Sequence, residues 1–160
     1  MIRIYRQEIE TQNGFEDIIN ERVANCTCKT NINPQLMFRQ SYTGMTDKCL
    51  VGNWTMHGFW ISKFRRQLAQ FRPDIIARFS FKSEHPGLKI RIRYSIGFSS
   101  IFFAVFVIFF FSCGFIKFGY ETFMVIVILL LGFYGVLIKT EFDSLKESID
   151  DNILKGIAEK

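Results

Sequence analysis

The sequence predicts an α+β protein, a small polar head with an antiparallel sheet and one N-terminal helix followed by a helical membrane anchor, and three observations carry that prediction. Residues 96–116 and 122–138 contain no charged side chain, although 22% of the chain is charged. Within residues 1–95, short runs alternate apolar and polar side chains with the period of two expected of half-buried strands. The charge is also divided by position: residues 1–95 hold 15 Lys and Arg against 8 Asp and Glu, whereas residues 96–160 hold 5 against 7. The 49% hydrophobic content and the net charge of +5 therefore average two unlike halves.

At ~1.5 Å per residue the first uncharged block makes a helix about 31 Å long and the second one about 25 Å long, against a hydrocarbon core of roughly 30 Å. Buried strands are also continuously apolar, but they run to only ~4–8 residues. Lys117-Phe118-Gly119-Tyr120-Glu121 separates the blocks and is too short to form a domain. The expectation is a two-helix transmembrane hairpin, residues 96–138, with spans 96–116 and 122–138. Arg78, Lys82, Lys89, Arg91 and Arg93 precede it and Lys139, Lys146 and Lys155 follow it, while the turn holds Lys117 alone. Basic residues resist translocation, so a two-pass protein with both termini in the cytoplasm is expected. Met1-Ile2-Arg3-Ile4-Tyr5-Arg6 places charges where a cleavable signal has its apolar core.

Within the head, residues 1–95, Ile2, Ile4 and Ile9 suggest a first strand. Asn13 and Glu16 have capping-box spacing, and Phe15, Ile18, Ile19, Val23 and Cys26 then recur with helical period. Residues 31–34 interrupt this helix. Residues 36–41, 48–54 and 55–63 read as strands, with Gly58 marking a turn or bulge. The clearest pattern comes last. Ile75, Ala77, Phe79 and Phe81 alternate with Asp74, Ile76, Arg78, Ser80 and Lys82, and Leu88, Ile90, Ile92 and Tyr94 alternate with Lys89, Arg91 and Arg93. A turn at residues 83–87 makes these an antiparallel hairpin that sets Lys82 against Lys89, Ser80 against Arg91 and Arg78 against Arg93. Like charges directly across strands are unfavourable, so water, the head's own acids or an external anion must compensate them.

Residues 139–160 predict a C-terminal amphipathic helix. Thr140 and Asp143 have cap spacing, and Phe142, Leu145, Ile149, Ile153 and Ile157 share one side. Asp143, Glu147, Asp150 and Asp151 make it acidic, which favours docking on the basic head over lying on an anionic bilayer.

Cys26-x-Cys28, Cys49 and His57 form the only group with metal-ligand chemistry, and their spacing departs from the usual zinc pattern. No metal and no cofactor are expected. No phosphate loop, nucleophile elbow or paired-carboxylate motif is present, so an enzyme is not expected. Nucleic acid is disfavoured because the hairpin's aromatic side chains fall on the face opposite its charges. The spans carry Ser99, Ser100, Ser112, Thr122 and Tyr134 but no ionisable acid or base of the kind that marks ion pathways. Gly97, Ser100 and Ala104 in the first span, with Gly132 and Gly135 in the second, are small enough for close helix packing.

Gly52, Phe59, Ile61 and Lys63, then Arg72-Pro73-Asp74-Ile75-Ile76-Ala77-Arg78-Phe79, then Gly87-x-Lys89-Ile90-Arg91-Ile92, resemble a loose group of uncharacterised small bacterial membrane proteins. The likeness spans roughly residues 50–140. It implies an α+β head, a two-helix hairpin and a bacterial inner-membrane location, and it brings no activity. The functional expectation is a membrane-anchored interaction module whose basic strand face, Arg78, Lys82, Lys89, Arg91 and Arg93, meets anionic membrane lipid or an acidic protein partner. The alternative is a homo-oligomeric, membrane-perturbing effector of pore type with a sensing head.

Overall fold

The computed structural model describes residues 2–12, 15–29, 50–56, 58–63, 73–84, 87–98, 100–102, 104–109 and 120–157. Its centre is a six-stranded sheet made of β1 (Ile2–Gln12), β2 (Thr27–Lys29), β3 (Leu50–Thr55), β4 (Gly58–Lys63), β5 (Ile75–Glu84) and β6 (Gly87–Ile96), in the spatial order β1-β6-β5-β4-β3-β2. Helix α1 (Phe15–Cys26) joins β1 to β2. Beyond the sheet come a short apolar helix, α2 (Ser100–Phe109), a long one, α3 (Tyr120–Ile149), and a wide π-helical turn at Asp150–Leu154.

The β5–β6 hairpin has the register that alternation predicts, with Arg78 opposite Arg93, Ser80 opposite Arg91 and Lys82 opposite Lys89. Its strands run further into the turn than expected, to Glu84 opposite Gly87. The expected strand at residues 36–41 lies outside the described residues. An all-antiparallel sheet is corrected to a mixed one. Thr27–Lys29 leaves α1 and pairs parallel with β3, Thr27 against Leu50 and Lys29 against Gly52. Three residues give too little alternation for this strand to be read from sequence.

One face of the sheet holds the core. Ile9, Leu50, Phe59, Ile61, Ile75, Ala77, Phe79, Leu88, Ile90, Ile92 and Tyr94 pack with Ile19 and Val23 of α1 and with Leu145, Ile149, Ile153, Leu154 and Ile157 from the C-terminal segment. Phe142 meets the rings of Tyr94 at 5.1 Å and Tyr5 at 5.7 Å. Arg22 of α1 donates from Nη1 to the carbonyls of Ile153 and Lys155, at 2.9 and 2.7 Å, which satisfies acceptors the ending helix leaves open. The expected docking of the acidic tail is thus present and mainly apolar, each fully buried aliphatic side chain contributing ~1.5–3 kcal/mol.

The two-helix hairpin is corrected as well. Among the described residues one helix is long and apolar enough to cross a bilayer, Met124–Leu154, and not two. At the first block, β6 continues to Ile96, and Gly97 then donates its N–H to the Asp74 carbonyl at 2.7 Å. The helix that follows is described only as far as Phe109, about 15 Å at ~1.5 Å per residue, and the rest of the predicted first span, residues 110–116, lies outside the described residues. At the second block no break separates span from tail. The Thr140 hydroxyl bonds back to the Val136 carbonyl at 2.9 Å instead of capping a new helix, so residues 122–138 and the amphipathic tail form one continuous rod.

Tyr94 is fully buried, and its hydroxyl makes no hydrogen bond. Burial, together with the charge of Asp150 and the neighbouring Tyr5, pushes that phenol above its ordinary range. A buried, unsatisfied hydroxyl costs roughly 1–3 kcal/mol. Tyr94→Phe keeps the ring contacts and removes that cost, so it is expected to raise the midpoint of thermal unfolding; a lowered midpoint refutes this account.

Candidate membrane-facing surface

Cross-strand register places Arg3 and, past a bulge, the even-numbered residues of β1 from Arg6 onward on the sheet face opposite the core, with the odd-numbered charges of β6. Arg6 faces Arg93, Glu8 faces Arg91 and Glu10 faces Lys89, while Arg78 and Lys82 of β5 flank β6 on its other side. The five predicted basic residues are therefore brought together on one surface. Sequence reasoning missed the β1 contribution. The signal was the run Arg6, Glu8, Glu10 at a spacing of two, but its partner strand lies some eighty residues away and only tertiary pairing reveals it.

Glu8 is the hub of the compensation that the hairpin requires. Its Oε1 accepts from Arg91 Nε at 2.9 Å and pairs with Arg6, and its Oε2 lies 3.4 Å from Lys89 Nζ. Lys89 also reaches Glu10 at 3.2 Å. Hydrogen bonds from Arg6 and then Arg91 hold the Glu8 carboxyl down at about 2, and Glu10 and Glu8 raise the Lys89 ammonium. Because the folded Glu8 is more acidic than the unfolded one, its contribution is complete above the ordinary carboxylate range near 4.5 and disappears as pH falls towards 2. Lys89 works in the opposite sense, losing its contribution only as pH rises through its raised folded value. Glu8→Gln is expected to flatten the acid limb of thermal stability between pH 4.5 and 2 and, because Glu8 also raises Lys89, to weaken the alkaline limb while Glu10 preserves part of it. A parallel acid limb in the variant assigns that limb elsewhere.

By register seven basic residues, Arg3, Arg6, Arg78, Lys82, Lys89, Arg91 and Arg93, stand against three acids, Glu8, Glu10 and Glu84, so the surface remains positive. Arg78 and Lys82 are exposed, and Lys89, Arg91 and Arg93 are partly covered. One aromatic departs from the expected separation. Trp60 pairs with Arg78 and shares its face, where it is buried with Ile76, Val51 and Cys28 towards the β2 side of the sheet. Cys26 and Cys28 are free thiols, and Cys49 and His57 lie outside the described residues.

Close to where β6 ends, the chain changes character. Asp74 accepts from Gly97 N–H at its carbonyl and donates its own N–H to Ser100 Oγ, clamping the start of α2 to the entrance of β5. Tyr134 of α3 donates to the Ser100 carbonyl at 2.9 Å. Of the predicted packing residues, Gly97 and Ser100 are buried and Ala104 is half-buried, but Gly132 and Gly135 are exposed. A Cβ built on either glycine meets nothing within 4 Å, so the contact of α3 with α2 at Ser100 is a tyrosine hydrogen bond and not a glycine approach.

From there outward both helices present apolar surface. Phe102, Val105, Phe106 and Phe109 of α2 and Val125, Ile128, Leu129, Phe133 and Val136 of α3 are each more than half exposed. A soluble monomer rarely leaves a contiguous apolar patch above a few hundred Å² uncovered. The fold and this surface together define a class: an α+β head carried on exposed apolar helices, one of them long enough to span a membrane. No family model, curated protein or solved structure matches the chain.

Proposed function

We propose that the protein is a non-enzymatic, membrane-anchored interaction module. The apolar halves of α2 and α3 enter the bilayer, and the head stands at its cytoplasmic surface. The observation that carries this reading is the pairing of a net-positive strand face with apolar helices that leave the same head within a few residues of it. N- and C-terminal segments share one core, Ile9 with Ile153 and Ile157, so both lie on the same side of the membrane, and the basic excess of residues 1–95 favours the cytoplasmic side. In a bacterial cell this is the inner membrane. The basic face meets anionic headgroups, where each Lys or Arg contributes about 1 kcal/mol within a Debye length of the surface.

The test uses the full chain. It should resist alkaline extraction from membranes, and single cysteines in the head should react with impermeant reagents only from the cytoplasmic side. Reconstituted protein should leave the head of the Lys82→Gln/Lys89→Gln/Arg91→Gln/Arg93→Gln variant more accessible to protease than wild type in anionic vesicles, and equally accessible in neutral ones. Release by alkali refutes the anchor. Identical protection in both vesicle types refutes lipid contact and moves the face to an acidic protein partner.

A further inference from the structure

Apolar surface lies open at one end of the sheet as well as on the helices. Ile2 is 56% and Ile4 39% exposed, and Tyr5 keeps 43% of its surface open. Ile2 pairs with Ile96, whose other neighbour is Ile75, so three isoleucines form a row across the end of the sheet. The register shifts between Arg3 and Tyr5, which leaves Ile4 as an extra residue on an edge strand. Edge strands are commonly guarded by charged side chains, and Arg6, Glu8 and Glu10 guard the rest of β1. At its start the exposed residues are mainly aliphatic instead.

Helix α3 shows where this end stands relative to the apolar helices. Phe142 meets both rings of the Tyr5–Tyr94 rung, and Tyr134, earlier in the helix, reaches Ser100 beyond the end of β6, so α3 runs alongside β1 in the same direction. From the Tyr5–Tyr94 rung to the Ile2–Ile96 rung is two residues of β6, about 7 Å at ~3.3 Å per residue. The same distance back from Phe142 is about five residues at ~1.5 Å each, which reaches about residue 137. There the exposed surface of α3 changes from apolar, Phe133 and Val136, to charged at Lys139. Phe98, two residues after the isoleucine row, is also more than half exposed. The start of β1 is therefore level with the edge of the helices' apolar band. Trp54 and Met56 are exposed too, but they lie by the β3–β4 turn, whose Gly58 stands opposite Ser80, about 17 Å along β5 from Ile75.

We propose that Ile2, Ile4 and Tyr5 form a lipid-contacting foot, a site at which the start of β1 enters the boundary between headgroups and acyl chains. Aliphatic side chains gain by leaving water there, and a tyrosine, with its apolar ring and polar tip, suits that depth. Arg3, exposed between the two isoleucines, holds the strand at the headgroups because its charge resists the hydrocarbon. The occupant is the bilayer that receives α2 and α3. This inference rests on the membrane-anchor reading and adds to it a contact made by the sheet itself.

The experiment reconstitutes the full chain in phosphatidylcholine–phosphatidylglycerol vesicles containing a phosphatidylcholine with a diazirine near the glycerol end of one acyl chain. Photolabelled residues are mapped by mass spectrometry. Label is expected on residues 2–6 and 124–136 and absent from residues 54–56. The exposed parts of the two isoleucines amount to about one whole side chain, whose burial corresponds to about a tenfold preference or more, so Ile2→Asn/Ile4→Asn should cut the label on residues 2–6 about tenfold and leave that on residues 124–136 as in wild type. Label on residues 124–136 alone overturns the foot and leaves the anchor; protection of residues 2–6 from hydroxyl radicals then assigns the strand end to a second copy or another protein, and full reactivity leaves it in water. Label on neither segment overturns the anchor and the foot together. Equal label on residues 54–56 and 2–6, or a double variant labelled like wild type, refutes the foot. Should the double variant unfold, Ile4→Gln takes its place, a severalfold loss supporting the foot and no loss refuting it.

Discussion

Gly58→Ala is expected to destabilise the head by roughly 2–6 kcal/mol, the sum of a strained backbone and a steric clash. Gly58 begins β4 with φ 141°, a conformation L side chains rarely adopt. A Cβ there falls 2.0 Å from the Phe79 carbonyl oxygen and 2.9 Å from its carbon. Those atoms belong to the ladder that holds β4 to β5, and they cannot yield without separating Gly58 from Ser80. The stacked rings of Phe59 and Phe79, 4.3 Å apart, sit on the next rung and are disturbed with it. Total domain stability is usually about 5–15 kcal/mol, so the loss is a large fraction of it. Gly132→Ala and Gly135→Ala are the natural controls. Both sites are open, and alanine in a helix interior is favoured by up to ~1 kcal/mol. Thermal unfolding of the three variants in the same detergent checks the contrast, and a stable Gly58→Ala protein contradicts the turn geometry.

Ile149→Asp should detach the end of α3 from the sheet. Ile149 is fully buried among Leu145, Ile153 and the apolar sheet face, and an unpaired carboxylate there costs several kcal/mol before any loss of packing is counted. Because α3 is one helix from Tyr120 to Ile149, the same event uncouples the head from the apolar rod that carries it. Limited proteolysis should then cleave residues 139–157 rapidly, while Asp143→Ala, at an exposed position of the same helix, leaves cleavage unchanged. Equal resistance in Ile149→Asp and wild type sinks this account. The orientation of the basic face relative to the apolar helices depends on this docking and on the clamp between Asp74, Gly97 and Ser100.

The β5–β6 hairpin was legible residue by residue, because a period of two admits one register when one face is apolar and the other charged. Its compensating acids were not, since Glu8 and Glu10 stand on a strand whose neighbour is distant in sequence. A bulge between Arg3 and Tyr5 also shifts the alternation there, so Tyr5 and not Ile4 meets Tyr94. The apolar side of the C-terminal segment was equally plain in Leu145, Ile149 and Ile153. What remained hidden was its continuity with the helix before it, because Lys139 and Thr140 resemble a boundary and cap whereas the Thr140 hydroxyl simply turns back to Val136.

By itself the sequence determined the α+β class, the concentration of apolar residues after Ile96, the basic excess before it and the pairing of Arg78, Lys82, Lys89, Arg91 and Arg93 on one face. These are properties of local periodicity and of composition along the chain. Tertiary structure alone decided that the sheet is mixed, that a single described helix has the length and apolar character to cross a membrane, and that Glu8 pairs with Arg6, Lys89 and Arg91. The physical reason is range. Periodicity is set by neighbours a few residues apart, whereas charge compensation and helix docking depend on which distant segments fold side by side.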